Sequence, residues 1–104
     1  MASSKEYLNY VLEQLSYLEE ITYRAMMGEY IIYYKGKIIG GIYDDRLLVK
    51  PVEAAKKLMP NASFEIPYDG AKAMLLADNL EDKAFLKNLA EEMYEELPFP
   101  KKRK

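Results

Sequence analysis

From Gly28 to Lys50 the chain reads GEYIIYYKGKIIGGIYDDRLLVK, and its apolar residues recur with a period of two. Tyr30 to Tyr34, Lys37 to Tyr43 and Arg46 to Lys50 are β-branched or aromatic runs. They are separated by Lys35-Gly36 and Asp44-Asp45, both of two-residue hairpin length. Gly36 suits a positive φ, whereas an Asp pair accepts one less readily. The stretch therefore predicts a three-stranded antiparallel meander. Gly40-Gly41 falls inside the middle strand, where glycine marks a bulge or a close approach by other backbone, here the first helix crossing the sheet. The alternative is a notch that faces a ligand, but no helix follows to make a phosphate loop.

A meander needs apolar faces to pack against, and the flanking segments supply them. Ser3 and Glu6 have capping-box spacing, and Leu8, Val11, Leu12, Leu15 and Leu18 follow at helical intervals, predicting a helix over roughly 4–20 with Tyr7, Tyr10 and Tyr17 at its rim. Pro51 opens a short helix that runs to Pro60, with Ala55, Leu58 and Met59 on its buried side. Ser63 to Ile66 and Ala73 to Ala77 read as two more strands around a Pro-Tyr-Asp-Gly turn. Asp78 with Glu81 repeats the capping spacing before a stripe of Phe85, Leu86, Leu89 and Met93, and Pro98 and Pro100 end that helix. The predicted order is α-β-β-β-α-β-β-α. This is an α+β two-layer sandwich, with an antiparallel sheet and helices packed on one face. At 104 residues it is one domain, residues 1–97, followed by a basic proline-lysine tail, residues 98–104.

The chain has no Cys and no His, which removes thiol nucleophiles, thiolate metal sites, ordinary zinc sites and the usual general base near neutral pH. No catalytic residue, metal ligand or cofactor is assigned, and the protein is expected not to be an enzyme. The N-terminus lacks a signal-peptide pattern and no apolar run reaches membrane-spanning length, so the expected location is the cytoplasm, with no membrane partner. Lys101, Lys102, Arg103 and Lys104 carry four of the 15 cationic side chains, so the remainder is acidic, with 17 Asp and Glu. That tail could add a weak, salt-sensitive affinity for nucleic acid, and is otherwise a solvated end.

Three other features need weighing. Asp44, Asp45 and Arg46 are neighbours on one hairpin and read as a solvated turn before they read as paired catalytic carboxylates. In TYRAMMGEY, Arg24 could bind an anion beside Met26 and Met27. The plainer reading makes both methionines core filler and pairs Arg24 with a Glu. Lys50 stands just before Pro51, where a helix N-terminus could help it to hold an anion. Tyr33, Tyr34 and Tyr43 suit sheet packing or a tyrosine-rich protein interface better than base stacking, because basic residues between them are few.

The segment YRAMMGEYIIYYKGKIIGGIYDDRLLVKP resembles the N-terminal domain of TfoX, the bacterial regulator of competence genes. The features that carry the resemblance are Arg24, Met26, Gly28, Tyr30, Tyr34, Gly36, Lys37, Leu47 and Lys50, with Tyr68, Leu75-Leu76 and the closing helix following in order. The resemblance is to a single-domain member of that family and implies a secretion-chaperone-like two-layer fold. It also implies a regulatory, non-enzymatic role exerted through a protein partner or a second copy of the chain. Arg24, Tyr30 and Lys50 are the expected contacts. The alternative is a small-ligand binder or enzyme built on Arg24, Lys50 and the Gly40-Gly41 notch.

Overall fold

The computed structural model describes residues 3–77 and 79–99. Helix α1 (Lys5–Gln14) is followed by strands β1 (Ile21–Met26), β2 (Glu29–Tyr34), β3 (Lys37–Ile42) and β4 (Leu47–Val49). Helix α2 (Glu53–Leu58), strands β5 (Phe64–Glu65) and β6 (Met74–Leu76) and helix α3 (Lys83–Tyr94) complete the chain. The order read from the sequence is present, with one strand more, β1, ahead of the predicted meander. All six strands lie in one sheet, ordered β1-β2-β3-β4-β6-β5, and every pairing is antiparallel.

The meander turns three times in the same way. Met27 and Gly28 (φ 53° and 85°), Lys35 and Gly36 (51° and 85°), and Asp44 and Asp45 (55° and 54°) each put two successive residues in the left-handed region. A two-residue hairpin with positive φ at both positions matches the right-handed twist of its strands. The Met27-Gly28 turn is what makes TYRAM a strand, and it corrects the reading of the methionines as core filler. Met27 is 95% exposed at the hairpin tip and Met26 is 40% exposed.

Helix α1 starts at Ser4, whose side chain accepts the Tyr7 amide at 3.1 Å. Ser3, one residue earlier than the cap, fastens the N-terminus elsewhere. Its Oγ donates to Glu29 Oε1 at 2.6 Å and accepts from the Asp45 amide at 3.0 Å, while the Ser4 amide donates to Asp45 Oδ1 at 2.8 Å. The Asp44-Asp45 turn is thus an anchoring point for the start of the chain. α1 ends at Gln14, short of the predicted boundary, yet Leu15 and Leu18 remain buried in the irregular turn that follows. Gln14 is buried and donates to the Leu80 carbonyl at 2.6 Å, joining α1 to the approach to α3. Asp82 caps α3 by accepting the Phe85 amide at 2.9 Å; Asp78, the cap expected from spacing, lies outside the described residues.

The three helices share one face of the sheet. Leu8 and Val11 of α1, Ala55 of α2, and Leu86, Leu89 and Met93 of α3 form one core with Ile32, Val49 and Leu75. The register aligns these last three in a single cross-strand row, Tyr23-Ile32-Gly40-Val49-Leu75-Phe64. The neighbouring row, Arg24-Ile31-Gly41-Leu48-Leu76, points to the opposite face, which no helix among the described residues covers.

Candidate functional site

That helix-free face is the candidate site, and the sheet register decides which residues reach it. Thr22, Arg24 and Met26 of β1, Ile31 and Tyr33 of β2, and Ile38 of β3 alternate with core-facing residues and point outward. A bulge opposite Ile32 leaves both Ile39 and Gly40 on the inner side, so Ile38 and Ile39 part to opposite faces. The outer face divides in two. Over β1, β2 and the start of β3 it is open, with Ile31, Tyr33 and Ile38 half-buried and Arg24 exposed. Over β4 and β6 the loop at 66–73 folds across it: Pro67 is buried, the Tyr68 ring lies 6.1 Å from the Tyr43 ring, and Leu48 is sealed from solvent.

Gly40 and Gly41 make this arrangement possible. A Cβ on Gly40 would overlap the Leu48 carbonyl oxygen, so β4 can close on the bulge only if that position is glycine. A Cβ on Gly41 would sit 2.7 Å from the Tyr43 ring and 2.7 Å from the Tyr30 carbonyl oxygen; its absence lets the Tyr43 ring fold back across the strand. The close approach predicted from the pair is therefore real, but it comes from β4 and Tyr43, not from the first helix. The buried position of Tyr43 pushes its phenol above the ordinary value, with Tyr68 and Glu29 adding to the effect.

Between the 66–73 loop and the sheet lies a cavity of about 280 Å³, with Lys50, Lys72, Tyr43, Tyr68 and Met74 in its wall. Neither lysine is in an ion pair among the described residues. The N-terminus of α2 is not the anion site expected beside Lys50, because the Glu96 carboxylate already accepts the Ala54 amide there at 2.9 Å. Lys72 had no signal in the sequence: it is a lone lysine in a loop, and only the fold of that loop brings it to Lys50.

Of the three residues expected to act together, Arg24 and Lys50 share the outer face, three strands apart and two residues out of line, or roughly 16 Å at ordinary strand spacing. Tyr30 does not join them. It is on the helix face, edge to face with Tyr23 at 5.8 Å and packed against the core. Arg24 has no ion-pair partner among the described residues, against the plainer expectation of a Glu. Arg46 does have one, Glu65 at 3.0 Å. The tail residues Lys101, Lys102, Arg103 and Lys104 lie outside the described residues.

The other motif positions are explained by architecture. Gly28 and Gly36 are second residues of left-handed turns, and Tyr34 and Leu47 are core. Lys37 donates to the Tyr94 carbonyl at 3.0 Å with its ammonium 3.9 Å from the Tyr94 ring centre. Among the described residues, Arg24 and Lys50 are left with no structural partner of this kind.

The family model described as the TfoX N-terminal domain matches residues 13–97. A protein of Spirochaeta aurantia, described as an uncharacterized 12.7 kDa protein in the trpE 5' region, is 32% identical over 105 residues, covering 100% of this chain and 91% of its own. No solved structure matches the chain.

Proposed function

Because the chain belongs to the TfoX N-terminal domain family, we propose that it is a cytoplasmic regulatory module that works by binding a protein partner on the open half of its outer sheet face, without catalysis. The observation that carries this reading is the face itself. Ile31, Tyr33 and Ile38 form an apolar strip that no helix covers, flanked by Arg24, whose guanidinium has no partner among the described residues. Tyrosine and arginine around an apolar centre are the side chains that most often dominate protein interfaces. Competence regulation by this module is the finer form of the same proposal and rests on the family alone.

The test is affinity capture from nuclease-treated lysate of the producing cell, with the wild type beside Arg24→Ala/Tyr33→Ala and beside Lys57→Ala/Glu92→Ala on the helix side. A partner lost with the first pair and kept with the second supports the open face as its seat. A partner kept by both variants, or lost with nuclease, rejects it.

One observation favours a second reading. The cavity walled by Lys50, Lys72, Tyr43 and Tyr68 has the charge and aromatic surface to take a small anion with a flat apolar part. A thermal-shift screen of such anions, repeated on Lys50→Ala/Lys72→Ala, separates this from the protein-partner reading. A shift that disappears in the variant supports it, and a flat screen removes it.

A further inference from the structure

The two edges of the sheet are unequal. β5 closes one side with only two residues, while β1 forms the other with six, Ile21–Met26, all but the first exposed. The long edge carries few of the usual guards against pairing: no proline, no lysine and no bulge in its register with β2, and Arg24 is its one charged residue. A two-residue turn makes the residues beside it a hydrogen-bonded pair, so Met26, Arg24 and Thr22 turn their N–H and C=O groups inward to β2. The Lys35 amide on the Glu20 carbonyl at 3.0 Å continues that alternation. Ile21, Tyr23 and Ala25 therefore turn theirs outward, to an open edge.

We propose that this edge is a homodimer interface, in which β1 pairs antiparallel with β1 of a second copy about a two-fold axis at Tyr23. In this register Tyr23 faces the partner's Tyr23, Ile21 faces the partner's Ala25, and about six backbone hydrogen bonds satisfy every outward group of the edge. Arg24 falls opposite the partner's Thr22, so the two arginines meet only on the diagonal and not face to face.

A second feature beside the edge selects the same occupant. On the helix face, Leu12, Leu15, Leu18, Ile21 and Tyr23, together with Ser16, Glu20 and Thr22, line an open groove of about 500 Å³ between the end of α1 and β1. Residues directly opposite each other in antiparallel strands point to the same face. The partner's Tyr23 and Ala25 would therefore stand over this groove and extend its apolar wall across the dyad. The axis is perpendicular to the sheet, so both open outer faces lie on one side of a twelve-stranded dimer.

Sedimentation velocity of the full chain up to about 0.1 mM tests this directly, a range that detects micromolar association. The expected result is a species of twice 12.1 kDa. Ala25→Pro removes an outward N–H and no β1–β2 hydrogen bond, and is expected to leave a folded monomer. Tyr23→Lys sets two ammonium groups opposite each other on the dyad and is expected to do the same, should the proline variant not fold. Since the chain has no cysteine, Tyr23→Cys gives a register test, with cross-linking to a covalent dimer on mild oxidation, whereas Arg24→Cys stays uncrosslinked. A wild type that remains monomeric, a dimer that survives both edge variants when folded, or cross-linking at 24 but not at 23 would overturn the proposal. The dimer readouts are independent of the partner-binding face, because Ala25→Pro, Tyr23→Lys and Tyr23→Cys change residues on the helix side of β1, and Arg24→Cys serves only as the cross-linking control.

Discussion

Several single residues have measurable consequences. Gly40→Ala has no room to relax, because the obstacle is the Leu48 backbone, and is expected to cost about 3 kcal/mol or more in chemical denaturation. Gly41→Ala meets the Tyr30 carbonyl oxygen and the Tyr43 ring, both at 2.7 Å against 2.1 Å at Gly40, so it should cost less, and displacing the ring should loosen the 66–73 loop. Equal costs at the two positions would contradict this division. Gln14→Leu leaves the half-buried Leu80 carbonyl without its donor and is expected to lower stability by about 1 kcal/mol. A neutral result would mean that the carbonyl finds another partner. Tyr43 gives a pH signature. Its folded phenol titrates above the ordinary value of 10.0, so its contribution is intact below that pH and is lost as pH rises through the folded value. Melting temperature should therefore fall less steeply above pH 10 in Tyr43→Phe than in the wild type, and matching slopes would show that Tyr43 is not held as described.

Among the elements, the hairpins show best what the sequence made legible. Lys35-Gly36 and Asp44-Asp45 declared themselves by length and residue type between two-period runs. Met27-Gly28 did not, because methionine is an uncommon left-handed residue, and the strand it creates passed for a lead-in to the sheet. Met27→Asn would give that turn the Asn-Gly pair suited to its geometry, and is expected to stabilise the protein by about 1 kcal/mol. An unchanged or lower stability would mean that the exposed methionine has packing not evident from its position. The overlong first helix has another cause. Leu15 and Leu18 keep helical spacing and are buried, but they are buried from an irregular turn, and spacing reports burial more directly than it reports backbone conformation. Cap spacing misled in a similar way at Ser3, whose hydroxyl is used by Glu29, 26 residues away.

At the level of the whole molecule, the two-layer α+β architecture followed from periodicity, but the two faces of the sheet did not. Ile31 and Ile32 look alike in sequence, as do Ile38 and Ile39, and only register and the bulge send one of each pair to the core and the other outward. Arg24 and Lys50 could be singled out as cations near the sheet, whereas the loop that brings Lys72 to Lys50, and the inward turn of Tyr30, are tertiary facts. Among the described residues no helix is long and apolar enough to cross a membrane. The picture is a sheet with one face occupied by its own helices and half of the other left open among the described residues. Isoleucine-methyl NMR during titration with the partner recovered by capture tests this most directly, because each face has its own reporters. The expected result is movement of the Ile31 and Ile38 resonances while Ile32 and Ile42, in the core, stay in place; a partner that binds and leaves Ile31 and Ile38 unmoved would contradict the account.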